Sequence, residues 1–223
     1  MPGQEKRGVN ACLVGCIGFI VIALAFTAVV IAGGYYLFGK TREAFTSPEP
    51  RELPAVEFTA AEAEAVLARA QAFEAALDDP DATAEIELTA RDINVLLRSD
   101  PRLDVLADSV HVAIPEDTLI AAVSIPLDMV PGLGGRYLNG EAELGLAVEN
   151  GRFDLSIKRL MVVGGDGDTE DLHRPLMGAY LVEMETALNE ELNTNPEARA
   201  LAERVEEISV QDGRVRIRLK GER

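Results

Sequence analysis

Tryptophan is missing from the 223 residues, histidine and cysteine occur twice each, and both cysteines, Cys12 and Cys16, fall in one apolar N-terminal stretch. The rest of the chain thus has no thiol for a disulfide or a thiolate metal site, and packing alone must stabilise it. His111 and His173 lie far apart with no cysteine near either, so no zinc-binding spacing exists. No Gly-x-Ser-x-Gly elbow occurs, and no serine has a histidine partner by motif, which leaves hydrolytic chemistry without a nucleophile. Positive charge is scarce as well. From position 41 onward 18 Lys and Arg stand against 37 Asp and Glu, a formal net of −19. Such a surface repels phosphate backbones, because their binding depends on Lys and Arg displacing counterions, and nucleic acid is excluded as a partner. No catalytic residue, metal ligand or cofactor-binding residue is expected, and the chain is not read as an enzyme.

What is present begins with a run, residues 11–38, that carries no charge over 28 positions. As a helix it would span about 42 Å, more than the roughly 30 Å hydrocarbon core of a bilayer. Tyr35 and Tyr36 at its end suit the membrane interface. Leu13-Val14-Gly15-Cys16 has the look of a lipoprotein box, but most of the apolar residues follow Cys16 instead of preceding it. Ala23-Leu24-Ala25 offers a cleavage pattern, yet the apolar run continues past it. A single-pass anchor over residues 1–39 is the expectation, with the N-terminus cytoplasmic and the domain outside the cell (inner) membrane. Residues 40–57 carry Pro48, Pro50 and Pro54 among charges and read as a linker that supplies reach and not contact.

Residues 58–223 read as an α+β domain, a largely antiparallel sheet packed with amphipathic helices. Thr59 and Glu62 form a capping box ahead of a helix that Asp78-Asp79-Pro80 ends. Ile86 and Leu88 alternate with Glu85 and Glu87 as a strand, and Thr89-Ala90-Arg91-Asp92 caps a second helix. Strands follow at 110–114, 119–127, 137–149 and 152–163, the last two joined by the hairpin turn Asn150-Gly151. Pro175 opens a long helix, Asn195-Pro196 breaks it, and a shorter helix leads to a hairpin about Asp212-Gly213. Arg214, Arg216, Arg218 and Lys220 give that hairpin a cationic outer face, a feature suited to a protein partner.

Two further segments bear on binding. Gly164 through Asp171 concentrates carboxylates, but neither its glycines nor its glutamate falls where a calcium loop of the EF-hand type needs them, and a solvated acidic turn is expected. Leu119 to Ile125 is apolar on both alternating faces, so the strand is either sandwiched by helices or lines a cavity whose room comes from Ala121 and Ala122. Met129, Val130, Pro131 and Leu133 make the next connection apolar, unlike most loops, which fits a loop packed on the core or else a pocket lid or membrane-touching tip. Ala121, Ala122, Val123, Met129, Val130 and Leu133 are accordingly the candidate contacts for a lipid or other hydrophobic ligand. An envelope scaffold that recruits a protein partner is the alternative.

Thr89-Ala90-Arg91-Asp92-Ile93-Asn94 followed by Val95-Leu96-Leu97, with Asn139-Gly140 ahead of an alternating run, resembles the YpmS-like family of uncharacterised, membrane-anchored bacterial proteins. The resemblance implies an extracytoplasmic domain behind an N-terminal anchor and a distant likeness to envelope lipid-binding folds. It supplies no catalytic residues.

Overall fold

A computed structural model of the chain describes residues 46–79, 81–128, 132–163, 169–171 and 175–221. The expected anchor at 11–38 lies outside them. Among the described residues no helix is long and apolar enough to cross a membrane.

Capping chemistry sets the first two helices. Thr59 Oγ1 accepts the amide of Glu62 at 3.2 Å to open α1 (Ala60–Leu77). After β1 (Glu85–Thr89), the hydroxyl of Thr89 accepts from the Asp92 amide at 3.1 Å while Asp92 Oδ2 accepts from the Thr89 amide at 2.9 Å. This reciprocal box starts α2 (Ala90–Ser99) and satisfies two of the amides that a helix leaves unpaired. Burial pushes the Asp92 carboxyl up, but the Thr89 bonds and the Arg69 guanidinium together outweigh it and hold the group below the usual aspartate value. A turn at Pro101–Leu103 and the short α3 (Asp104–Ala107) lead into the strands.

The strands β2 (Val110–Ala113), β3 (Leu119–Pro126), β4 (Tyr137–Glu149), β5 (Arg152–Val163) and β6 (Thr169–Asp171) form one antiparallel sheet in that order. Asn150 and Gly151 take φ of 53° and 71°, as the hairpin between Glu149 and Arg152 requires. Helices α4 (Pro175–Thr194) and α5 (Pro196–Arg204) follow, then β7 (Val205–Gln211) and β8 (Arg214–Leu219). The expected single sheet is in fact two. β8 pairs with its hairpin partner β7 on one side and with β1, more than a hundred residues away, on the other. The acidic run also differs from expectation: residues 164–168 lie outside the description, but Thr169–Asp171 extend as β6 against Met161–Val163.

One core joins both sheets and the helices. Leu97 of α2, Leu119 of β3, Leu155 of β5, Leu188 of α4 and Leu219 of β8 are all fully buried within it. Burying a side chain of that size contributes roughly 1.5–3 kcal/mol, so these positions carry much of the stability that cysteine does not.

Candidate functional site

Register fixes what each face of the five-stranded sheet presents. Val112 faces Ala121, which faces Ala142, and Val123 faces Gly140, so these residues share the core face. His111, Ala122 and Glu141 are likewise neighbours on the opposite, outer face, as are Ala113, Ile120 and Glu143, and Ser124 with Asn139. The six candidate ligand residues are therefore divided. Ala121 and Val123, 4% and 3% exposed, are packed in the core. Ala122 is half-buried on the outer face, and Leu133 is half-buried against the core at the β3–β4 connection. Met129 and Val130 lie outside the described residues.

The doubly apolar character of β3 then has a structural account. One face is core, and the other is partly covered by the N-terminal chain. Ser47 bridges Tyr137, the first residue of β4, with N–H···O distances of 2.9 and 2.8 Å, and Arg136 Nη2 donates to the Thr46 carbonyl at 2.6 Å. Asn139 Nδ2 donates to the Glu49 carbonyl at 3.0 Å. The Arg51 amide donates to both Ser124 Oγ and Asn139 Oδ1 at 3.1 Å, and Ser124 Oγ donates to Asn139 Oδ1 at 2.9 Å. The Arg51 guanidinium pairs with Glu141. Ser124 and Asn139 are 6% and 3% exposed, so this is a buried polar node with its partners in place, the condition under which such a node is stable. From it the chain runs to α2, where Arg91 Nη2 donates to the Glu57 carbonyl at 2.8 Å. Residues 46–51 are thus a strap clamped to the sheet, not the free linker that their prolines and charges suggest.

Beyond the strap the outer face shows half-buried Ala113, Ile120 and Ala122 beside the carboxylates Glu141 and Glu143 and, on β5, Met161 and Arg159. His111 stands among them. Burial and then the Arg98 charge lower its pKa, and its Nδ1 is buried without a hydrogen-bond partner. Both effects disfavour the charged imidazole. Among the described residues no cluster of three or more His, Cys, Asp or Glu side chains could hold a metal ion.

Helix side chains seal the sheet edges. On β2, Asn94 of α2 accepts from the Val112 amide at 2.8 Å and donates to the Val112 carbonyl at 2.6 Å. On β5, Asn193 treats Phe153 in the same way at 3.0 and 2.9 Å, and Asn189 treats Leu155 so at 2.8 Å both ways. Glu185 accepts from the Ile157 amide at 2.5 Å. Four residues of helix rise about 6.0 Å and two residues of strand about 6.6 Å, so side chains at every fourth helical position meet every second strand residue. Three of the four cations on the hairpin face expected as a partner site, Arg214, Arg216 and Arg218, pair with carboxylates of the domain itself. Arg216 lies opposite Glu87 and also reaches Glu85 at 3.3 Å, and Arg214 reaches Glu87 at 3.5 Å. Glu206 is the extra residue of a bulge in β7, which brings both it and Glu207 to Arg218, at 3.0 and 2.6 Å.

A shallow depression of about 500 Å³ lies between α4 and α5, lined by Asn193, Thr194, Pro196, Arg199, Ala200 and Glu203. Among the features that sequence reasoning missed are the strap residues Thr46 and Arg51 and the residues that hold them, Ser124, Arg136, Asn139 and Glu141. Their only local signal is Ser124, a lone hydroxyl in an otherwise apolar strand. Set against family models, curated proteins and solved structures, the chain matches none.

Proposed function

We propose that the chain is a single-pass, N-terminally anchored protein whose extracytoplasmic α+β domain, without enzymatic chemistry, binds a hydrophobic ligand such as the acyl portion of a lipid. The observation that carries this reading is the half-buried patch of Ala113, Ile120 and Ala122 beside the strap, apolar side chains on the open face of a sheet whose other face is already core. Ala122 is the candidate residue that serves it, with Ile120 and Ala113 in place of Ala121 and Val123. The test is organic extraction and mass spectrometry of the purified domain, residues 46–223. An apolar molecule should accompany the wild type and be depleted severalfold by Ala122→Asp, whose circular dichroism should be unchanged. A wild-type domain that carries no apolar molecule ends the ligand reading.

A protein partner is the second reading, favoured by Glu141, Glu143 and Arg159 on that same face. Mixed apolar and charged surfaces of this kind are ordinary in non-obligate interfaces. Crosslinking from position 122 in intact cells that returns only the protein itself would count against it.

A further inference from the structure

The strap decides which end of the domain lies next to the anchor. Its first described residue, Thr46, is held by Arg136, and Ser47 is bridged to Tyr137, both at the base of the β3–β4 connection. The uncharged run ends at Phe38, so residues 39–45 alone span the gap between it and the clamp. Fully extended, such a leash reaches about 28 Å. Were the strap free as far as the start of α1, the leash would be more than twice as long.

The opposite end of the sheet is well defined. It holds the β2–β3 turn, where the Gly213 amide donates to the Glu116 carbonyl at 2.7 Å and the Asp212 amide to Asp117 Oδ1 at 2.9 Å, so the β7–β8 turn sits there too. The eight residues of β3 place that end roughly 26 Å beyond the clamp.

From the clamp and the short leash we infer that the domain stands with its β3–β4 end toward the lipid surface and its β2–β3 and β7–β8 turns away from it. The inference rests on the anchor reading and adds an orientation to it. In this arrangement the Ala113–Ile120–Ala122 patch lies along the side of the domain, between bilayer and solvent, and is not pressed against either.

The absence of native tryptophan makes the test direct. Gly134→Trp reports on the clamped end, since a Cβ there meets nothing nearer than Asp128 Oδ1 at 4.0 Å and the backbone is not left-handed. Gln211→Trp reports on the far end, at an exposed position. Each full-length variant is reconstituted in phosphatidylcholine vesicles containing a dansyl-labelled headgroup, and energy transfer from tryptophan to dansyl is read. Transfer should be severalfold greater from position 134 than from position 211, and the double variant Arg51→Ala/Arg136→Ala should narrow the difference. Failure of the chain to float with the vesicles overturns the anchor and the orientation with it. Flotation with equal transfer from both positions, or with greater transfer from position 211, overturns the orientation alone, and a difference that the double variant does not alter overturns the strap as its cause.

Discussion

The two sheets meet the same problem, polar groups beside a core, in opposite ways. The five-stranded sheet closes its edges mainly with neutral amides from helices, Asn94 on β2 and Asn189 and Asn193 on β5, with Glu185 the one carboxylate in the series. The three-stranded sheet covers its outer face with paired charges, Glu85 and Glu87 against Arg214 and Arg216, and Glu206 and Glu207 against Arg218. Amide clips act on backbone groups that have lost water, whereas the charge ladder joins side chains that keep theirs. The difference teaches where the sensitivity of the domain lies. A backbone group left unpartnered in the interior bears the whole cost of its desolvation, while an exposed ion pair is replaced by water at little loss.

Asn94→Ala is the strongest way to break that contrast. Asn94 is 3% exposed, and its removal strands the amide and carbonyl of Val112 at the margin of the core. The expected loss is about 2–5 kcal/mol, read as a lowered urea midpoint at unchanged slope. Asn94→Asp should be no better, because a carboxylate keeps an acceptor for the amide but has no donor for the carbonyl and adds charge. A shift within about 0.5 kcal/mol, ordinary for a surface site, would show that water replaces the clip and the two sheets are alike in this respect.

The paired substitution Asn189→Ala/Asn193→Ala comes next. These residues are half-buried, so water can reach part of what they leave, and a combined loss of roughly 1–3 kcal/mol is expected. Its more telling result is association. With the clips gone, Phe153 and Leu155 present unpaired amides and carbonyls on an open strand edge, a template for another strand. Light scattering after size exclusion should show a concentration-dependent larger species. A variant that is destabilised yet keeps the mass of the parent at every concentration would assign the clips to stability alone.

Features fixed by short stretches of chain were legible in advance. Thr89 and Asp92 cap α2 because hydroxyl and carboxylate reach amides three residues away, and Asp212-Gly213 turns because both residues accept positive φ, here 51° and 71°. What depended on distant partners was not. Alternation marks Glu85 and Glu87 as outward-facing, but nothing local says that β8, far along the chain, lies beside β1 and divides the strands into two sheets. The strap was hidden for a related reason: proline and charge describe a chain that makes no regular structure, and such a chain can still hydrogen-bond to Ser124 and Asn139 through its backbone. The clips left a trace that could have been read. Asn189 and Asn193 sit four apart on a helix, where asparagine is a poor former, each directly after a core leucine, Leu188 and Leu192. Of the candidate ligand residues, alternation does separate Ala122 from Ala121 and Val123. It could not say which face was core, because β3 is apolar on both.

The smallest effect belongs to the charge ladder, and it sharpens the comparison from the other side. Arg216 sits opposite Glu87 and reaches Glu85, the densest node of the ladder, yet its side chain is 42% exposed and those of Glu87 and Glu85 are 33% and 44% exposed. Arg216→Ala should move the urea midpoint far less than Asn94→Ala. The residual shift should shrink as salt is added, because exposed charges are screened over about 8 Å at physiological ionic strength. The Asn94→Ala shift should not respond to salt, since no net charge is involved. If instead Arg216→Ala proved as damaging as Asn94→Ala, and salt left its effect unchanged, the arginine would be acting through the packing of its aliphatic stem on β1 and not through its charge. The two sheets would then differ in the groups they use but not in the physics that holds them.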